Sequence, residues 1–324
     1  MIVTRDQAAH QARQGVESWA LSDAGGLTQF GVHMQRLAPG ARASERHWHS
    51  AEDELLFVLS GTATVLQDGG ATALGPGGAA LWRHGDPDAH CVGNAGAEPL
   101  EYLIVGSRAA HDVCTYPKSG QRQVNEDRNW RVEDAAGAVL RGGALPAELL
   151  NLAPAWGAAF DPAQPATRFV DSVGAVPVVE DGYVHPVLGG GLGAYSYVLL
   201  GDAGGLSQFG AHLEILPPGS RSSFRHWHEA EDEFLYVLEG NPVLVEDART
   251  VLRPGDAVVW PAGDPVGHNL ENPGPKTARY LVVGTRLPRD VIHYPDHDLI
   301  THKDGPSQRY LHADGTPYSK GETL

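Results

Sequence analysis

Arg46-His47-Trp48-His49-Ser50-Ala51-Glu52-Asp53-Glu54 returns later in the same chain as Arg225-His226-Trp227-His228-Glu229-Ala230-Glu231-Asp232-Glu233. In an extended strand, residues i and i+2 face the same side, so His47 and His49 point together into one cavity, as do His226 and His228. A carboxylate follows five residues after the second histidine, Glu54 in one copy and Glu233 in the other. Imidazoles with one carboxylate suit a divalent transition metal. A third ligand reaches the cavity if the chain turns back or the strand continues with the glutamate.

The copy is part of a longer repeat. Asp23-Ala24-Gly25-Gly26-Leu27 and Gln29-Phe30-Gly31 match Asp202-Ala203-Gly204-Gly205-Leu206 and Gln208-Phe209-Gly210 at an offset of 179 residues. After one deletion the offset is 178: Asp86-Pro87, His90 and Asn94 match Asp264-Pro265, His268 and Asn272, and Asp112-Val113 and Tyr116-Pro117 match Asp290-Val291 and Tyr294-Pro295. A period this long means two whole domains rather than a solenoid. We expect an N-terminal domain over 1–145, a linker over 146–166 and a C-terminal domain over 167–324.

Within each unit the pattern is strand-like, with turn signals every 8–12 residues, as in a β-sandwich or barrel. The apolar run Leu55–Leu59 ends just before Gly61 and is followed by Thr62–Leu66; with its copy, Phe234–Leu238 followed by Val243–Val245, each pair predicts a hairpin. Asp68-Gly69-Gly70, Pro76-Gly77 and Pro254-Gly255 supply turns. Helix signals are few: Pro146 to Leu152 predicts one short helix. The polar stretch from His302 to Leu324 predicts a surface flap or a pairing arm.

Composition narrows the function. The chain has 324 residues and a formal net charge of −16, with no long Lys/Arg run, so nucleic acid is not an expected partner. No apolar stretch is long enough to span a membrane, and the N-terminus lacks the apolar core of a signal peptide. Cys91 and Cys114 lack metal-site spacing and are expected as reduced thiols in a cytoplasmic chain.

The spacings resemble those of the cupin superfamily. Its first motif, Gly…His-x-His…Glu…Gly, falls on Gly40, His47, His49, Glu54 and Gly61, and again on Gly219, His226, His228, Glu233 and Gly240. Its second motif falls on Gly255, Pro261, Gly263, His268 and Asn272, and on Gly77, Gly85, His90 and Asn94, with Arg83 in place of the proline. The resemblance implies an all-β chain of two tandem double-stranded β-helix (jelly-roll) cupin barrels, a bicupin. It also implies two complete metal-ligand sets: His47, His49, Glu54 and His90, then His226, His228, Glu233 and His268. Fe, Mn, Ni, Zn and Cu all suit such a set, up to two ions per chain.

The implied function is a metal-dependent enzyme acting on a small polar molecule, a carboxylate or a sugar or sugar-phosphate derivative. Dioxygenation, decarboxylation and isomerisation stay open, and no single residue is marked as catalytic. The competing expectation is a bicupin that binds a metal and a small molecule without turnover, as a sensor or a storage protein. A monomer and a homodimer both satisfy the sequence.

Residues around the ligands carry further expectations. Glu52 and Glu231 are read as solvated loop carboxylates, or else as groups that orient a ligand imidazole. Arg46 and Arg225 are read as ion-paired to nearby acids, and Trp48 and Trp227 as packing that points away from the metal. His33 and His212 are expected at a surface or interface. Arg83 and His84, without counterparts in the second copy, are expected at the rim of the first site.

Overall fold

The computed structural model of the chain describes residues 1–126, 128–145, 157–180 and 182–319. Strands dominate, and the α-helices Leu21–Ala24 and Leu200–Ala203 are single turns. Among the described residues no helix is long and apolar enough to cross a membrane. The expected helix from Pro146 to Leu152 lies outside the described residues.

Two compact units emerge, and neither is continuous in sequence. One comprises Arg5–Ala175 with Leu200–Gly210; the other comprises Met1–Thr4, Val176–Leu199 and Ala211–Leu324. In the first unit a seven-stranded antiparallel sheet runs in the order Phe169–Asp171, Gly78–Trp82, Glu54–Ser60, Leu100–Ser107, Phe30–Leu37, Val16–Ala20, Ala9–Arg13. Two smaller sheets complete the barrel. One joins Cys91–Gly93, Ala63–Gln67 and Gly70–Leu74; the other joins Val139–Ala144, Asn129–Glu133, Gln121–Glu126, Asp112–Tyr116 and Trp48–His49.

The second unit repeats this plan. Its large sheet places Glu233–Glu239 between Ala257–Trp260 and Ala278–Thr285, with Ile2–Val3 as the edge strand beside Ala257–Trp260. Both units are therefore jelly-roll barrels, and their strand pairings among the described residues are antiparallel.

Alternation along the strands fills each barrel. In the first unit Leu56, Val58, Tyr102 and Leu37 of the large sheet pack with Val65 and Val92 of a small one. In the second, Leu235, Val237, Tyr280 and Leu216 pack with Leu244 and Leu270. Each such side chain, fully buried, contributes about 1.5–3 kcal/mol of hydrophobic stabilisation.

The expected hairpins do not form. Glu54–Ser60 pairs with Gly78–Trp82 and Leu100–Ser107, whereas Ala63–Gln67 pairs with Gly70–Leu74 and Cys91–Gly93. The chain changes sheet at Gly61 instead of folding back. Gly61 has φ +78°, and a Cβ there would lie 2.6 Å from the Pro99 carbonyl oxygen. Only glycine permits that corner, which Gly240 repeats at φ +79°. The polar stretch after His302 begins with paired strands. Leu299–Asp304 and Ser307–Leu311 are strands of the barrel wall, paired outward from Arg289–Tyr294.

Candidate metal centre

The ligand histidines come together because two strands meet. His47 and His90 form an isolated antiparallel bridge, each backbone N–H donating to the other's carbonyl at 3.0 and 2.9 Å. His226 and His268 repeat the bridge at 3.2 and 3.0 Å. His49, two residues on, joins the ring of His47 at a centroid distance of 5.2 Å, and His90 lies at 5.2 Å on the other side. In the second barrel the matching distances are 5.1 and 5.3 Å.

Glu54 and Glu233 open the central strand of each large sheet and carry their carboxylates inward. Glu54 Oε2 lies 2.8 Å from His90 Nε2, and Glu233 Oε2 lies 2.9 Å from His268 Nε2. Two ligand atoms at right angles on one ion, each bonded at about 2.1 Å, stand about 3 Å apart. His47, Glu54 and His90 in the first barrel, and His226, His228 and Glu233 in the second, therefore fit a shared divalent ion. Glu54 groups with His47 and His90, and Glu233 with His226 and His228, whereas Glu52 groups with His49 and Asp112 and Glu231 with His228 and Asp290.

Each imidazole is held by its other nitrogen. His47 Nδ1 contacts the Glu45 carbonyl at 2.9 Å and His226 Nδ1 the Phe224 carbonyl at 2.9 Å. His49 Nδ1 contacts Asp112 Oδ2 at 2.7 Å, and His228 Nδ1 contacts Asp290 Oδ2 at 2.5 Å. A carbonyl or an ionised carboxylate can only accept, so Nδ1 carries the proton and Nε2 offers its lone pair to the centre. Trp82 stacks on His90 and Trp260 on His268, both at 3.8 Å, fixing the ring planes.

Electrostatics follow from burial and from these partners. Burial disfavours charge on His47 and His226, lowering both; His226 falls to about 4. At His49 and His228 burial acts the same way, but the glutamate and the hydrogen-bonded aspartate outweigh it. His49 is held well above its usual range and His228 rises to about 9. Burial alone would raise Glu54 and Glu233, yet the surrounding imidazoles, led by His49 and His228, hold both carboxyls far below the usual range.

Several features around the ligands were not anticipated. Asp112 and Asp290 are buried and directly bonded to ligand histidines. Their repetition at a constant offset was the available signal. Cys114 pairs in register with His49 and belongs to a His47–His49–Cys114 cluster; Ile292 faces His228 at the equivalent place. Glu52 and Glu231 are not solvated loop groups. Glu52 accepts from the Ala109 N–H at 3.0 Å and lies 3.5 Å from His49 Nδ1; burial lifts its carboxyl to about 8. Glu231 accepts from Lys303 Nζ at 2.6 Å and from the Leu287 N–H at 2.7 Å.

Other readings are sharpened or corrected. Arg46 is ion-paired to Asp68, and Arg225 to Asp247 at 3.4 Å and Asp296 at 3.6 Å. Trp227 packs by stacking on His293 at 4.1 Å. Arg83 and His84 are not rim groups of the metal cluster. Arg83 lies over the Phe160 ring and donates to the Asp161 carbonyl, while His84 is bonded to buried Asp53 at 2.6 Å. His33 is not a surface residue: with Ser18 and Gln35 it lines a cavity of about 330 Å³.

Known proteins agree with this architecture. The family of the cupin domain matches the chain twice, over residues 33–106 and 212–284. A sugar phosphate isomerase of the cupin superfamily from Silicibacter pomeroyi is 40% identical, over 45% of this chain and 94% of its own, with a TM-score of 0.41. A mutant oxalate decarboxylase from Bacillus subtilis is 18% identical, over 88% of this chain and 77% of its own, with a TM-score of 0.53. No curated protein sequence matches the chain. The chain belongs to the cupin superfamily, and its two barrels make it a bicupin.

Proposed function

We propose that this bicupin is a metal-dependent enzyme that acts on a small polar molecule, a carboxylate or a sugar or sugar-phosphate derivative. The reaction class is dioxygenation, decarboxylation or isomerisation. One observation carries the reading: each barrel brings two imidazoles and one carboxylate close enough to share an ion, His47, His90 and Glu54 in one and His226, His228 and Glu233 in the other, with His49 and His268 beside them and buried aspartates behind His49 and His228. Such partners behind a ligand imidazole fix its tautomer and orientation, which favours metal binding over a purely structural role.

His47, His49, Glu54 and His90 would hold one ion, and His226, His228, Glu233 and His268 a second; Fe, Mn, Ni, Zn and Cu fit these donors. Such an ion supplies Lewis acidity and polarises an oxygen of the substrate. The chain's own groups do the rest. Asp112 and Asp290 keep the proton on Nδ1 of His49 and His228, so these rings stay oriented. Trp82 and Trp260 cover one face of His90 and His268 and exclude water from it.

The test is metal analysis of protein purified without an affinity metal column. It is followed by assays on small carboxylates and sugar phosphates under air and under nitrogen. Two equivalents of metal with turnover are expected. Metal-loaded protein that binds a panel member without converting it would make the chain a sensor instead.

A further inference from the structure

The interior wall beside the carboxylate ligand is bare. Glu54 pairs in register with Gly106, and Gly106 pairs with Gly31 on the next strand. Residues directly opposite in a sheet share a face, so both glycines lie on the face that carries Glu54 inward. The same parity carries Tyr102 and Ile104 into the core cluster, which confirms the side. A Cβ built on Gly106 meets no described heavy atom within 4 Å. Gly106 lies on a central strand, yet it is only half-buried. Solvent therefore reaches the wall next to the ligand set.

The far end of this bare strip carries a cation. Arg108 follows Gly106 by two residues and shares its face. Its guanidinium lies over Gly31, with Nη2 and Nε 3.2 and 3.3 Å from where a Cβ would be, and His33 Nε2 is 3.5 Å from the same point. Arg108 is fixed there by the Leu27 carbonyl at 2.7 Å and by Asp23. A side chain at position 31 would crowd the guanidinium.

We propose that the strip over Gly106 is the substrate slot of the N-terminal barrel. It takes a short carboxylate of about two to four carbons, with an oxygen toward the Glu54 cluster and its anionic end on Arg108. This deepens the metal-enzyme reading and rests on it. Length sets the class. Glu54 to Gly31 spans two strand spacings, about 9–10 Å between Cα atoms. Side chains reach in from both ends, which favours a short molecule over a hexose phosphate. A planar guanidinium matches the fork of a carboxylate. The second barrel repeats the opening: Glu233 pairs with Gly284, whose added Cβ would meet only the Glu233 side chain, at 4.0 Å, and Arg286 follows two residues on.

The test uses metal-loaded protein and calorimetric binding of pyruvate, glycolate and fructose 6-phosphate. Wild type is expected to bind the two short carboxylates at two sites per chain. Gly106→Val is expected to remove one site with metal content unchanged, and the double variant with Gly284→Val to remove both. Arg108→Met is expected to weaken the first site tenfold or more, and Gly106→Ala to weaken it less than Gly106→Val does. Gly106→Val protein that keeps two metals and binds like wild type overturns the slot alone. Tighter binding of fructose 6-phosphate than of either carboxylate overturns the substrate class. Wild-type protein that takes up no metal overturns the enzyme reading, and the slot falls with it.

Discussion

Asp112 Oδ2 stands 2.7 Å from His49 Nδ1, and this contact decides which ring nitrogen is free to bind a metal. Asp112 is reached from His49 across paired strands, Cys114 lying opposite His49 in register. The carboxyl also accepts from the Ala51 N–H at 2.9 Å and from Ser50 Oγ at 3.1 Å, so its own position is fixed. Asp112→Asn keeps the size but puts a donor amide against Nδ1, favouring the tautomer with the proton on Nε2. Metal affinity at the N-terminal site is expected to fall about 10- to 100-fold. Asp290→Asn should do the same at the C-terminal site. Competition with a graded series of chelators measures it; unchanged affinity would show that the carboxylate does not set the tautomer.

Metal uptake should release protons. In the metal-free protein the Glu233 and Asp290 carboxylates outweigh burial and raise His228 to about 9, so at pH 7.5 its ring is charged. An ion at this site must displace the Nε2 proton, while His226, lowered to about 4, is already neutral. About one proton per ion is expected at pH 7.5, falling toward zero as pH rises through 9. Conversely, the ion pairs of charged His228 stabilise the metal-free barrel fully below about pH 6.5 and are lost as pH rises through 9. Calorimetry of metal binding in buffers of different ionisation enthalpy counts the protons, and a count of zero at pH 7.5 would refute the assignment.

The ligands were legible because strand geometry and spacing act within a few residues. His47, His49 and Glu54 share one short stretch, and the spacing to Gly61, repeated at Gly240, singles out Glu54 and Glu233 from the neighbouring Glu52 and Glu231. The groups behind them were not legible, because Asp112 reaches His49 through a sheet pairing that joins positions far apart in sequence. The hairpin expectation failed for a related reason. An apolar run, a glycine and a second apolar run look alike whether the chain folds back or crosses to the opposite sheet. The outcome is settled by the neighbouring strand at Pro99–Leu100, whose backbone crowds Gly61.

That crossing gives a sharp stability prediction. Gly61→Ala would strain a residue at φ +78° and place a methyl group 2.6 Å from a backbone oxygen that no rotamer can move. The left-handed conformation alone costs about 1–2 kcal/mol, and the forced backbone shift raises the total to about 3 kcal/mol. Gly40→Ala is the matched control. It has φ +79° but open space around the added methyl, so it should cost only the conformational part. Denaturant unfolding of the two variants compares them; equal losses would mean that Gly61 serves only its backbone angle.

Glu214 tests what the duplication tolerates. It occupies the position that Gln35 holds in the first barrel, where Gln35 Oε1 accepts from the Tyr102 hydroxyl at 2.5 Å. Burial and the nearby Glu233 charge lift the Glu214 carboxyl to about 7, while the hydroxyl of Tyr280 opposes the rise. Between about pH 4.5 and 7 the folded chain keeps a proton that the unfolded chain has released. Stability from this group is therefore complete below pH 4.5, is lost as pH rises through 7, and stays lost above. A shift of that size corresponds to at most about 3 kcal/mol, and less for a half-buried side chain. Glu214→Gln removes the ionisation and restores the amide that the first barrel already carries. The variant is expected to unfold at a higher temperature than wild type at pH 8, and at nearly the same temperature at pH 4.5. A variant equally stabilised at both values would mean that packing, rather than the carboxyl's charge, separates the two residues, and a destabilised variant at pH 8 would mean that the ionised carboxylate is itself held by the barrel.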